Sequence, residues 1–339
     1  MSDIVKDIES RFGKGSIFRL GSKEVEDVEA FSTGILGLDA ILGIKGFPRG
    51  RISEVFGLES SGKTCLALAA VADAQRKGYQ AAYIDVEHSL DTETALMMGV
   101  DVDSLFVSQP DDGHSALDIL LTLVKSEQFA VVVLDSVAAL TPKQEADADE
   151  FGASYIGVQA RMMSQAMRKL VSPIGKSNTC VIFLNQQRVD IQAAGYGDGL
   201  TTTGGKALKY GASVRIQLKR LTQVKDGDDT IGHNVKAIVV KNKLAAPFRN
   251  YQYQITYGSN NVQLDEVINQ GIEYGFIKKG GAWFTFGEQK LQGVAKVRAF
   301  LLENQDIYND LKAKVADCLQ RYVVEGQKRE IKKSKDGDE

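Results

Sequence analysis

Cysteine is scarce in this chain of 339 residues, and the three present, Cys65, Cys180 and Cys318, lie far apart. No CxxC pair or His-partnered spacing occurs, which argues against zinc and for a reducing, cytoplasmic setting. Long apolar runs are missing as well. Stretches such as FAVVVL (129–134) are far too short to span a bilayer, so they read as buried strands and no membrane partner is expected. The N-terminus, MSDIVKDIESRF, is charged and amphipathic and lacks the apolar core of a secretory signal. An excess of one charge is absent too, since the net charge is −3. What remains is the composition of an ordinary soluble globular protein, long enough for one large domain plus a smaller one, or for two.

Charge is nevertheless uneven. Residues 200–250 carry ten basic residues against three acidic ones. That bias fits a solvated face or a nucleic-acid surface, and alone does not choose between them.

From about residue 51 the pattern alternates apolar strand with amphipathic helix. RISEVFG, AAYIDVE, LFVSQP, FAVVVLDSV and TCVIFLNQ read as strands, and KTCLALAAVADAQRKG, SALDILLTLVKSE and ARMMSQAMRKLV as helices. Strands that are apolar throughout and alternate with helices predict a mainly parallel sheet covered on both faces. After residue 211, ASVRIQLKRL, NVKAIVVKNKL and NYQYQITYG are separated by short polar turns and predict antiparallel strands. The expected division is an arm over 1–33, a core over 34–262, a small α+β module over 263–327 and a charged, disordered tail over 328–339. In the arm, Ile4, Ile8 and Phe12 fall four apart on one helix face, which packs on its own core or on another copy.

GLESSGKT, from Gly57 to Thr64 with Glu59, Ser60, Ser61, Gly62 and Lys63 between, is bounded by glycine and sits between a strand and a helix. Glycines let backbone amides turn around phosphate oxygens, and the helix start adds its dipole. Lys63 can reach terminal phosphates and Thr64 can ligand Mg²⁺. Asp135, ending VVVLD, is placed either at the magnesium side, exposed at the sheet's carboxyl edge, or as a cap on the next helix. In IDVEHSLD, Asp85 and Glu87 are two apart and so point to one side; Glu87 is either a base for the attacking water or a surface acid. LNQQR sets Gln186 at the end of the next strand, where it can sense a terminal phosphate. The long, glycine-rich stretch 189–205 reads as a functional loop, and 145–157 as a second mobile stretch. GGKALKY, with Lys206, and ARMMSQAMRK, with Arg161, Ser164, Arg168 and Lys169, offer phosphate-gripping groups. Met162, Met163 and Met167 read as helix core.

Together, FGKGSIFRLG, GLESSGKT, IDVEHSLD, LDSVAALTPK, ARMMSQAMRKL, FLNQQR, TTTGGKALKY, VVKNKLAAPF and GAWFTF resemble the bacterial RecA recombinase family, in order and over nearly the whole chain. The resemblance implies a P-loop, RecA-like α/β core and a DNA-dependent ATPase using ATP and Mg²⁺. It implies helical filaments of this chain on single-stranded DNA, exchange with a homologous duplex, a place in repair and the SOS response, and partners such as a LexA-like repressor and loading proteins. Carried over by residue, Lys63 and Thr64 hold phosphate and magnesium, Asp135 is the second magnesium-side acid and Glu87 the base. Gln186, with Asn185, is the switch to the DNA loop. Lys241 and Lys243 reach the neighbouring subunit's nucleotide. Arg161, Ser164, Arg168, Gly204 and Gly205 form the primary DNA site, flanked by Asn185, Arg188 and Lys206, and residues 1–33 pack on the next subunit.

The chain departs from the family pattern at several positions. Thr94 stands where the family has a Tyr that stacks on adenine, while Asp91, expected at the adenine amino group, remains. Cys65 replaces the second P-loop Thr, Asp190 replaces a Lys, and the long acidic tail is lacking. Besides the recombinase reading, a hexameric RecA-fold motor uses the same ATPase parts, and a non-hydrolysing DNA-binding scaffold keeps the fold alone. The N-terminal arm argues against the motor, and intact Lys63, Asp135 and Glu87 argue against the scaffold.

Overall fold

The computed structural model describes residues 2–14, 16–17, 28–147, 157–189, 200–257 and 262–335. Helix α1 (Ser2–Phe12) is followed by a small ladder, β1 (Ala30–Phe31) on β2 (Phe47–Pro48), around helix α2 (Leu36–Leu42). The alternating core comes next, with β3 (Ile52–Gly57), α3 (Lys63–Arg76), β4 (Gln80–Asp85), α4 (Thr92–Met97) and β5 (Phe106–Ser108). It continues through α5 (Gly113–Lys125), β6 (Phe129–Asp135), α6 (Lys143–Ala146), α7 (Val158–Ser177) and β7 (Cys180–Val189). Strand β8 (Leu200–Thr202) and helix α8 (Lys206–Gly211) lead into β9 (Val214–Asp226), β10 (Asp229–Asn242) and β11 (Asn250–Thr256). The C-terminal part holds α9 (Val262–Glu273), β12 (Lys278–Gly280), β13 (Trp283–Phe286), β14 (Gln289–Gln292), α10 (Val294–Glu303) and α11 (Gln305–Lys335).

The main sheet runs β11-β10-β9-β3-β7-β6-β4-β5, with β8 on β7. Strands β9 to β5 along that order are parallel, and β10 and β11 extend the sheet antiparallel, as the sequence predicts. Every residue of β3 and β6 is buried because helices cover both faces, which is why their valines and isoleucines do not alternate with polar residues. Leu66, Val71 and Tyr83 belong to the core on the α3 face; Leu120, Met163 and Leu170 belong to that on the α5 and α7 face. Met162, Met163 and Met167 are core, as expected. A third core, including Val267, Leu301, Leu311 and Val315, fills the C-terminal module.

Two sequence expectations change here. The tail read as disordered from 328 is helical through Lys335, because Gln, Lys, Arg and Glu favour helix and no proline or further glycine follows Gly326 before Gly337. The loop read from 189 is a ribbon at its base: β7 continues to Val189, and Gln187, Arg188 and Val189 pair with Thr202, Thr201 and Leu200. Its residues 190–199, with Asp190, lie outside the described residues, as do 148–156 of the other loop and 18–27 of the arm.

Helix α2 and its seating were not legible in the sequence. Glu266 of α9 accepts hydrogen bonds from Leu36 N (2.6 Å) and Gly37 N (2.8 Å), so a carboxylate from the C-terminal module caps this helix. Ile35 at its N-cap offers no side-chain bond of its own.

Candidate functional site

Parallel pairing brings the carboxyl ends of β3, β7, β6 and β4 to one edge, with Gly57 opposite Gln186 and Asp85 opposite Asp135. Crevices at such edges are where open α/β sheets hold ligands. Between β3 and α3 the chain turns through Ser60 and Gly62, both with positive φ. A Cβ on Gly57 would lie 2.4 Å from the Leu218 carbonyl oxygen, so glycine is required where the loop leaves β3 beside β9.

The Ser61 hydroxyl is fully buried and has no hydrogen-bond partner among the described residues. A buried, unpaired hydroxyl is costly, and at a loop entering a helix N-terminus it suits a phosphate oxygen. Lys63 reaches back across the loop, with Nζ donating to the carbonyls of Leu58 (2.9 Å) and Gly57 (3.4 Å). Burial lowers its pKa, while Asp135, Glu87 and Glu59 oppose that shift. Glu59 and Ser60 are exposed on the loop's outer turn.

Asp135 departs from the sequence expectation of an exposed edge carboxylate, since only 5% of it is accessible. The cost is offset by the Tyr83 hydroxyl, which donates to Oδ2 at 2.6 Å, and by Thr64 Oγ1 at 3.4 Å. Burial pushes its pKa up to about 6; the Tyr83 bond pulls it down, Glu87 and Asp85 raise it and Lys63 lowers it. The helix-cap alternative does not hold, because the turn of 3-10 helix that follows starts from Ser136 with no side-chain cap. Thr64 and Asp135 supply hard oxygen donors, yet no group of three or more His, Cys, Asp or Glu could hold a metal among the described residues. That sparse donor set fits magnesium, which keeps waters and takes phosphate oxygens, better than a cation needing an all-protein cage.

Glu87 is exposed at the same edge, where its Oε1 accepts from the Ser136 hydroxyl and from Gln186 Nε2 at 3.0 Å. Asp85, two residues earlier, is not exposed beside it, although both carboxylates raise the pKa of Asp135. It is fully buried and accepts from Ser89 N, Leu90 N and Gln109 Nε2, tying down the turn after β4. Strand alternation ends at Asp85, so the spacing rule no longer applies at Glu87.

Asn185 is also fully buried and does not face a DNA surface directly. Its amide donates to Glu54 Oε1 (2.9 Å) and the Thr203 carbonyl (3.1 Å), and its oxygen accepts from Gln186 N (2.9 Å). Arg161 and Arg168 are exposed on α7 and line one groove with Ser164, whose hydroxyl donates to the Ala160 carbonyl at 2.7 Å. Gly204 and Gly205 press on that helix: a Cβ on Gly205 would lie 2.8 Å from that of Ala160. Lys206 is exposed at the start of α8, while Arg188 is described by its backbone pairing alone.

Lys241 and Lys243 sit at the other end of α8. Lys241 Nζ donates to the Lys209 and Tyr210 carbonyls at 2.8 and 2.9 Å, and Lys243 Nζ reaches Tyr210 O at 3.5 Å. Asp91 caps α4, accepting from Thr94 N (2.8 Å) and Thr94 Oγ1 (2.7 Å), so Thr94 engages the carboxylate expected at a base. Cys65 lines a cavity of about 420 Å³ with Tyr253, Ile255 and Lys312, between α3 and the C-terminal module. Sequence reasoning missed Tyr83, Ser136, Glu54 and Arg215. Tyr83 and Glu54 carried a signal, a polar group in the middle of a largely buried strand.

The RecA N-terminal domain model matches residues 1–261, and the RecA C-terminal domain model matches 265–320. The chain is 50% identical over 316 residues to Protein RecA of Wolinella succinogenes, covering 93% of this chain and 90% of that one. It is 51% identical over 319 residues to Protein RecA of Caulobacter vibrioides, covering 94% and 89%. Among solved structures, the RadB recombinase superposes with a TM-score of 0.51 at 23% identity, over 68% of this chain and 97% of that one, which speaks to the fold alone.

Proposed function

We propose a division of labour among these residues, from the premise that this chain belongs to the bacterial RecA family and is a recombinase with DNA-dependent ATPase activity. The nucleotide is ATP with Mg²⁺. The loop amides from Ser60 to Cys65 and the Ser61 hydroxyl bind the phosphate chain, and Lys63 leaves its two loop carbonyls for the terminal phosphates. Thr64 and Asp135 hold the magnesium, which when bound neutralises charge that develops on the phosphates. Lys241 and Lys243 complete the site from the neighbouring protomer. Asp91 meets the base without an aromatic partner at position 94.

Glu87 orients and deprotonates the attacking water. The observation that carries this role is its carboxylate, exposed at the sheet edge while Ser136 and Gln186 hold its Oε1. A base must be oriented by its partners and still be open to its substrate, and the two bonds together with the exposure support that role. Gln186 exchanges Glu87 for the terminal phosphate, which alters the strand leading to Arg188 and the segment from Thr201 to Gly205. Arg161, Ser164 and Arg168 grip the single strand through phosphates, leaving homology to be tested by base pairing.

Helix α1 packs on the next protomer. Its Ile4 and Phe12 are 63% and 75% accessible in the single chain, which supports an intermolecular partner. The cytoplasm, a LexA-like repressor and loading proteins complete the proposal by family relation. The test is ATP hydrolysis with and without single-stranded DNA, alongside electron microscopy of the same mixtures. DNA-stimulated turnover with helical filaments is expected; rings with turnover would replace this reading with a motor.

A further inference from the structure

Behind the catalytic edge lies an ion pair that the reaction itself does not touch. Glu54, in the middle of β3, is fully buried, and Arg215 of β9 is 6% accessible. Arg215 Nε donates to Glu54 Oε2 at 2.5 Å, and its guanidinium lies 4.6 Å from the centre of the Phe56 ring. The other oxygen, Oε1, accepts from the Asn185 amide at 2.9 Å. The same Asn185 nitrogen donates to the Thr203 carbonyl, and the Asn185 oxygen accepts from Gln186 N. Thr203 returns a bond of its own, from Oγ1 to the Gln186 carbonyl at 3.4 Å. On the far side, Arg215 is the cross-strand partner of Lys241, whose amine caps α8.

A buried charge pair is an expensive way to fill a core, since apolar residues of the same volume serve as well or better for stability. What an ion pair adds is direction. Glu54 fixes which way the Asn185 amide points, and with it the carbonyl oxygen that receives Gln186 N. Turning Asn185 over would bring two oxygens face to face at Glu54, so the pair admits a single orientation. That orientation joins Gln186, on the phosphate side, to Thr203, one residue before the glycines packed on α7.

We propose that Glu54 and Arg215 are positioning residues that couple nucleotide state to DNA grip, by holding Asn185 as a rigid link between Gln186 and Thr203. This rests on the reading of Gln186 as a phosphate sensor. It adds that the signal crosses β7 through a fixed side chain, with Lys241 at the opposite end of the same chain of contacts.

The test is E54Q in the full-length protein. A glutamine keeps the shape but cannot accept from Arg215 and Asn185 on both arms. ATP turnover is measured with and without single-stranded DNA, together with DNA affinity in ATP and in ADP. Nucleotide affinity and DNA-free turnover are expected within about threefold of wild type, while DNA stimulation falls tenfold or more and the preference for DNA in ATP over ADP collapses. A merely structural role would lower stability and leave that preference intact, and this outcome overturns the proposal. The double variant E54Q/R215Q leaves no unpaired charge and gives the same reading if the single variant fails to fold. If neither folds, hydrogen exchange of the wild-type chain decides. Amide protection at Gln186 and Thr203 that changes together between ATP and ADP supports the link, and independent change overturns it. If wild type shows the preference and Gln186→Glu retains it, the sensor reading fails on its own, separately from the pair.

Discussion

Two of the places where this protein buries carboxylates use them in opposite ways. At the sheet edge, Asp135 is held by hydroxyls, from Tyr83 and Thr64, and lies in the field of Lys63. Between α2 and α9, Asp39 and Glu266 are held largely by the backbone and by neighbouring hydroxyls. Asp39 accepts from Thr33 N (2.8 Å), Thr33 Oγ1 (2.7 Å) and Ser32 Oγ (2.5 Å), and Glu266 accepts from Leu36 N and Gly37 N. Burial raises all three pKa values, to about 6 for Asp135 and about 7 for Asp39 and Glu266. Burial alone therefore does not mark a site. Asp135 and Glu266 differ in their donors: the hydroxyls around Asp135 can turn toward a cation, whereas the amides at the start of α2 that hold Glu266 are fixed in place.

The largest effect that would sharpen the comparison is at the edge. Glu87→Gln is expected to lower turnover by about 10²–10⁴-fold, the usual contribution of a general base, with ATP-dependent filament formation retained. Loss of nucleotide binding in that variant, with normal turnover in the fraction still bound, would break the assignment.

Glu266→Ala makes the complementary cut. It leaves two amides at the start of α2 without their partner, so a loss of about 1–3 kcal/mol in unfolding free energy is expected. Turnover per folded molecule should stay within twofold, measured at a temperature well below the melting transition.

The same residue sets a pH dependence of known sign. With their folded pKa values raised, Asp39 and Glu266 retain protons in the native state between roughly pH 4 and 7 that the unfolded chain has released. Their contribution is full below the unfolded values and lost as pH rises through about 7. Glu266→Gln, which cannot titrate, should remove about 1.4 kcal/mol per pH unit of that decline between pH 5 and 7. Urea unfolding of both proteins across that range measures it, and identical slopes would place Glu266 ionised in the fold.

The smallest effect belongs to the hydroxyl donors. Tyr83→Phe removes one bond to Asp135 and should cost about 0.5–1.5 kcal/mol, seen as a several-fold higher half-saturating magnesium for nucleotide binding. A loss of stability as large as that of Glu266→Ala would erase the distinction between the two clusters.

Much of the edge was legible because strand, glycine loop and helix follow one another within a few residues, as at Gly57–Thr64. The order of buried strands was equally plain from runs such as FAVVVL. Misreadings arose where a side chain's environment depends on distant segments. Asp135 looked exposed because its strand ends there, yet Tyr83 from the neighbouring strand covers it. Family resemblance places Asn185 at the DNA, yet it is fully buried and turns inward to Glu54. The charged tail looked disordered by composition, although its residues are good helix formers.

The sequence by itself determined the alternation of strands and helices, the phosphate loop and the family, since each is written in contiguous residues or in periodicity. Tertiary structure alone decided which carboxylates became chemistry and which became welds. Glu54 meets Arg215 161 residues away, and Glu266 meets Leu36 across 230. No local spacing encodes such pairs, because they exist only after the sheet has closed and excluded water from both partners.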